Sequence, residues 1–69
     1  MNEQSVSVGN AERLLTASEV EERSSLSRST IWRQVHSGQF PSPIRIGARR
    51  VAWRESDVTQ WIDSRRPAA

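Results

Sequence analysis

Residues 26–38 read Leu26-Ser27-Arg28-Ser29-Thr30-Ile31-Trp32-Arg33-Gln34-Val35-His36-Ser37-Gly38, and this stretch decides how the rest of the chain is read. It carries the parts of one short helix. Ser27 marks the start, because its hydroxyl oxygen can accept from the otherwise unpaired N–H of residue 29 or 30. Gly38 marks the stop, because helices often leave through a left-handed residue that glycine adopts without strain. Ile31 and Val35 are four apart and share one face, with Trp32 on its border. Arg28, Ser29, Arg33 and, near the end, His36 fall on or beside the opposite face. Such a helix suits duplex DNA: arginine bonds guanine edges bidentately, and the hydroxyls of Ser27, Ser29 and Thr30 lie at the end that can approach phosphates.

On the N-terminal side, Thr16-Ala17-Ser18-Glu19 fits a capping box, and Leu15 and Val20 stand where a hydrophobic staple needs them. A first helix is expected from Ala17 to about Arg23. Its apolar stripe of Ala17 and Val20 is thin, so it must pack on the second helix. Ser24-Ser25-Leu26 is the turn, and Leu26 can staple onto Ile31. Two short helices joined by a tight turn, the second one basic, make a helix-turn-helix in which the first supports and the second enters the major groove.

On the C-terminal side, Phe40-Pro41-Ser42-Pro43 forces an extended path, with Phe40 expected as a core plug. Ile44-Arg45-Ile46, Gly47-Ala48-Arg49-Arg50 and Val51-Ala52-Trp53 read as a β-hairpin. Ile44 and Ile46 share one face, as do Val51 and Trp53. Gly47 is expected to supply an unusual dihedral at the bend. Arg49 and Arg50 fall at the tip and Arg45 points away from the core, so the hairpin reads as a wing that can lie on phosphates or in the minor groove. Glu55 to about Arg65 is a last helix: Glu55 and Asp57 suit its positive end, Arg65 and Arg66 its negative end. Val58, Trp61 and Ile62 form its apolar stripe. Trp61 is expected to cover the hairpin and first helix, and Pro67 to stop the helix. The fold class is therefore small α+β, a winged helix-turn-helix with three short helices and a two-stranded hairpin wing between the second and third. The domain spans residues 12–66, residues 1–11 form a polar tail expected to be disordered, and residues 67–69 form a short C-terminal tail.

Composition narrows the function classes. At 69 residues there is room for one small domain. The absence of cysteine and the single histidine exclude disulfides, thiolate sites and a metal site of ordinary ligand spacing, and no cofactor is expected. No apolar run approaches the roughly 20 residues that span a bilayer, and no signal-peptide pattern opens the chain, so a soluble, cytoplasmic protein without membrane contact is expected. The net charge of +2 hides a segregation: residues 1–22 carry five acids and one arginine, while residues 23–54 carry seven arginines and no acid. All ten basic residues are arginine, which favours planar bidentate contacts to phosphate or guanine. An enzyme is not expected. His36 is the sole imidazole, no serine has a visible His–Asp arrangement, and no glycine-rich phosphate loop exists.

The order of pieces resembles the AlpA-like prophage regulators, within the wider MerR-like and excisionase-like winged-helix group. The similarity runs from about Arg13 to Arg65. It rests on Leu26-Ser27-Arg28-Ser29-Thr30-Ile31, then Gly38-x-Phe40-Pro41-x-Pro43, then Ile46-Gly47 with Trp53, then Ser56-x-Val58-x-x-Trp61-Ile62. The resemblance implies a DNA-binding winged helix that regulates transcription, excision, or both, in a phage or integrated element. Two positions depart from the family pattern: Ser25 stands where the family often has glycine, and Trp32 where it often has tyrosine.

The leading expectation is sequence-specific binding of double-stranded DNA by a transcriptional regulator, through Ser27, Arg28, Ser29, Thr30, Arg33 and His36 on the helix and Arg45, Arg49 and Arg50 on the wing. One helix and one wing bury about 600–1,000 Å² and read few base pairs. Self-association or cooperative binding on repeated half-sites is therefore expected, or a protein partner such as an integrase or recombinase. The alternatives are an excisionase that bends attachment-site DNA and, from another class, a non-enzymatic protein-interaction adaptor anchored by tryptophan. Trp53 and Trp61 are accounted for by core packing, which leaves Trp32 to decide that last reading.

Overall fold

The structure, a computed structural model, describes residues 12–68; the tail expected at residues 1–11 lies outside them. In chain order the elements are β1 (Leu14–Leu15), α1 (Ala17–Ser24), α2 (Arg28–His36), β2 (Ile44–Gly47), β3 (Arg50–Arg54) and α3 (Glu55–Asp63). Three helices thus surround a small antiparallel sheet of strand order β1-β3-β2.

Local chemistry sets both ends of the first two helices. Thr16 caps α1: the Glu19 N–H donates to its Oγ1 at 3.2 Å, and the Thr16 N–H donates to Glu19 Oε1 at 2.8 Å. That second bond, helped by the nearby Arg13 guanidinium, holds the Glu19 carboxyl below the ordinary glutamate range. The chain leaves α1 through Ser25 at φ 63°, whose N–H returns to the Glu21 carbonyl. Ser27 then caps α2 by accepting from the Thr30 N–H. At the far end Gly38 has φ 80°. Its N–H bonds the Val35 carbonyl, and the Gln39 N–H bonds the Gln34 carbonyl at 2.8 Å. These paired bonds across a left-handed glycine make a Schellman exit.

The sheet departs from the sequence reading in two ways and adds a third detail which that reading left open. First, the hairpin is not two-stranded on its own: Leu14 and Leu15 pair with Arg54 and Trp53 to form a third, two-residue strand. Second, Gly47 has no positive φ. The bend is made by Ala48 and Arg49 between paired Gly47 and Arg50, and the irregularity is a register shift between Arg45 and Gly47 that leaves Ile46 unpaired. Third, Ile44 opposes Ala52 while Arg45 opposes Val51. The isoleucines therefore lie on the face opposite Val51 and Trp53, and Ile46 is 45% exposed.

Leu15, Val20, Ile31, Phe40, Trp53 and Val58 form the core cluster, with Leu26, Trp32, Val35, Val51 and Trp61 packed against it. Two of the three indoles donate to backbone carbonyls. Trp53 Nε1 donates to the Pro41 carbonyl and Trp61 Nε1 to the Gln39 carbonyl, each at 2.8 Å. The loop of two prolines is thus pinned by the tryptophans on either side of it. Trp61 packs on Phe40 with the rings tilted 58° and their centroids 4.7 Å apart. It therefore covers the loop after α2 rather than the hairpin and α1.

The last helix ends earlier than Pro67 would require: α3 stops at Asp63, Ser64 is its C-cap, and the Arg65 guanidinium lies over the Trp61 ring while its Nε donates to the Trp61 carbonyl. Its N-terminus lacks a local side-chain cap. Glu12 supplies one from a distant part of the chain, accepting from the Ser56 N–H at 3.0 Å and the Ser56 hydroxyl at 2.8 Å. The bond from the Ser56 N–H is the main reason its carboxyl lies below the ordinary range. Beside it, the Glu55 N–H bonds the Arg13 carbonyl. Arg23 pairs with Glu55 at 2.7 Å and ties α1 to α3.

Candidate nucleic-acid interface

α2 is held on one side and open on the other. Ile31 is buried at 1% exposure, and Trp32 packs on Trp53 with centroids 5.5 Å apart. Trp32 is therefore a half-buried support, which removes the motive for treating it as an exposed anchor. The opposite edge shows Ser27, Arg28, Ser29, Arg33 and His36 exposed, with Thr30 half-buried among them.

The polar groups on that edge are linked. Ser27 Oγ donates to Thr30 Oγ1 at 2.9 Å, and Arg33 Nη2 donates to the same oxygen at 3.1 Å. Thr30 Oγ1 accepts from both, so its own proton is the one left to donate outward. Ser29 Oγ lies 3.4 Å from Ser27 Oγ. The network aims the Arg33 guanidinium along the N-terminal half of the helix. Because its other N–H groups are unused within this network, it keeps the fork needed for a bidentate contact. His36 is turned toward its own helix: Nδ1 donates to the Trp32 carbonyl at 2.9 Å.

Arg28 is placed differently from its neighbours. Its Nε donates to Glu21 Oε2, and its Nη2 donates to Ser18 Oγ at 3.0 Å. The side chain thus crosses from α2 to α1 and braces the angle between them. No periodicity in the sequence signals this pairing, because the partners sit on separate helices at no helical spacing. Its Nη1 takes no partner among the described residues, and the side chain remains 53% exposed.

On the hairpin, Arg45 Nη1 donates to the Ala48 carbonyl at 3.0 Å and steadies the turn. Arg49 lies in the turn and Arg50 opens β3; both are exposed. Among the described residues, Arg49, Arg50 and Arg54 form neither ion pairs nor side-chain hydrogen bonds. Arg54 was not singled out from sequence. The register sets it opposite Leu14, two residues along β3 from Ala52 and exposed at the end of the strand. Its place in the acid-free middle of the chain was the available signal.

The seven arginines of residues 23–54 therefore divide by partner. Arg23 and Arg28 are neutralised by acids, and Arg33 and Arg45 are oriented by neutral oxygens. Arg54 lies near the Glu12 carboxylate and, after the Ser56 bonds, helps hold its pKa down. Arg49 and Arg50 are free among the described residues. Charge unmatched by the protein is thus concentrated on α2's open edge and on the hairpin. Among the described residues no cluster of three histidine or carboxylate groups stands ready for a metal, and no helix is long and apolar enough to cross a membrane.

No solved structure matches the chain. A protein of Enterobacteria phage P4, described as uncharacterized protein ORF88, is 43% identical over 54 residues, covering 78% of this chain and 61% of the phage protein. The chain thus spans about three fifths of the length of that relative. The family model described as prophage CP4-57 regulatory protein (AlpA) matches residues 13–66. That range holds every described helix and strand, and the chain belongs to the AlpA family of prophage regulatory proteins.

Proposed function

We propose that this chain binds double-stranded DNA sequence-specifically and regulates transcription in a phage or integrated element. The observation that carries the reading is the open edge of α2: Ser29, Thr30 and Arg33 face away from a buried Ile31, and among the described residues no acid neutralises Arg33. In this reading α2 lies in the major groove. Arg33 supplies a bidentate fork to a guanine, while Ser29 and Thr30 hold bases or the nearby phosphates. Ser27 places the positive end of the helix toward a phosphate. Arg28 holds the α1–α2 angle and reaches DNA through Nη1. His36 sits at the end of the same edge. Arg45 stiffens the wing, and Arg49 and Arg50 take the sugar-phosphate backbone. The function is binding, without catalysis.

A module this small reads few base pairs, so two copies on repeated half-sites, or a recombinase partner, complete the specificity. The excisionase role uses the same residues. What separates it is the location of the bound site, at an attachment site rather than a promoter. The test is an unbiased selection of bound duplexes followed by footprinting and competition. The expected result is a recurring motif bound about 10³-fold or more tighter than random DNA at moderate salt. Equal affinity for all duplexes, or no binding, overturns the reading.

A further inference from the structure

The hairpin carries one feature that phosphate contact does not explain. Ile46 is the bulged residue of β2: Arg45 pairs with Val51 and Gly47 pairs with Arg50, leaving Ile46 without a partner. It is 45% exposed, the most exposed of the large apolar side chains in the described residues. It stands one residue from the turn's Gly47, beside Arg45, and close to Arg49 and Arg50. A large aliphatic group at the end of a β-ribbon, with no core to join, loses free energy to water unless something else covers it. Bulges re-aim the side chain they extrude. The three neighbouring arginines determine what can cover it, because their positive charge suits a polyanion and repels a basic protein surface.

We infer that Ile46 is a wedge for the DNA minor groove. This rests on the DNA-binding reading above and deepens it. Arginines at the wing tip are drawn to the negative potential of a narrow minor groove. Seated there, Ile46 presses between adjacent base pairs, partly unstacks them and kinks the duplex toward the major groove. The cost of unstacking is lowest at pyrimidine–purine steps, so the wing prefers such a step without a hydrogen bond to any base. The Arg45–Ala48 bond, which stiffens the turn, keeps the wedge from folding back. Bending is then a property of the wing and reading a property of α2, located in different residues of one chain.

The experiment measures end-to-end energy transfer on fluorophore-labelled duplexes recovered from the selection, together with anisotropy on the same duplexes. The full chain is compared with Ile46→Ala and Ile46→Leu. The expected result is a bend within about 20–90° for the unmodified chain, kept by Ile46→Leu and lost by Ile46→Ala while both variants still bind. Because Ile46 makes no core contact, both variants are expected to melt with the unmodified chain, and a melting curve checks this. Binding without a bend, or a bend unchanged in Ile46→Ala, overturns the wedge and leaves the DNA-binding reading standing. Failure of the unmodified chain to bind any duplex overturns both.

Discussion

Ser25 holds a left-handed backbone at φ 63°, where a side chain costs roughly 1 kcal/mol relative to glycine. The Ser25→Gly variant is therefore expected to be more stable by up to about 1 kcal/mol, raising Tm by about 4–8 °C for a domain of this size. An unchanged or lower Tm contradicts the backbone assignment. The two glycines that follow behave oppositely. Gly38 has φ 80° and open space around a would-be Cβ, so Gly38→Ala loses about 1 kcal/mol through the backbone alone. Gly47 has no positive φ, and a Cβ there would meet Arg50 at an ordinary 3.7 Å. Gly47→Ala is expected to stay within about 0.5 kcal/mol in chemical denaturation. At this scale the sequence was legible where one residue type serves one local need, as at Thr16, Ser27 and Gly38. It misled at Gly47, because a glycine near a bend does not say whether the bend or a neighbouring bulge uses it.

At the scale of elements, the first two helices were readable because their caps lie within a few residues of what they cap. The third was readable at its start but not in how that start is held. Glu12 caps α3 from 44 residues away, and β1 adds to the sheet across a similar separation. Two residues show no alternation, and a cap so distant leaves no spacing to count. The consequence is measurable in acid. The Glu12 and Glu19 carboxyls are held below the ordinary glutamate range, each chiefly by a backbone N–H that binds the charged form in the folded chain. The stability they contribute is fully present above the unfolded glutamate range and is lost as pH falls through the lower folded values. Tm is therefore expected to fall as pH drops below about 5. The Glu12→Gln variant should start lower at neutral pH and fall less steeply. A Tm–pH curve parallel to the unmodified chain contradicts the capping role. The early end of α3 has a local origin instead: the Ser64 hydroxyl and the Arg65 Nε both donate to the Trp61 carbonyl, side-chain bonds that compete with continued helix.

Over the whole molecule, charge and burial divide the chain between two tasks. Glu12 and Glu19 cap helices, and Glu19, Glu21 and Glu55 pair with Arg13, Arg28 and Arg23, so these four acids help hold the three helices together. Of the arginines left over, Arg33 stands on α2 and Arg45, Arg49, Arg50 and Arg54 on the hairpin, while Arg65 and Arg66 follow α3. The acid-free middle of the sequence announced that division, and the winged architecture followed from the order of caps, prolines and apolar pairs. The individual partners did not: which arginine is spent on an acid depends on how α1 crosses α2, and that crossing is a property of the packed core. Membership of a prophage regulatory family fits a small basic module with a separately held reading edge. The central claim is that α2 reads bases while the wing grips the backbone, and it is tested most directly by anisotropy over a salt series with Arg33→Ala and Arg49→Ala. Arg33→Ala is expected to weaken the selected site by about 1–3 kcal/mol with little effect on random duplex, whereas Arg49→Ala weakens both alike and lowers the salt slope by about 1. Two variants that lose affinity equally for selected and random DNA, with equal change in slope, would contradict the account.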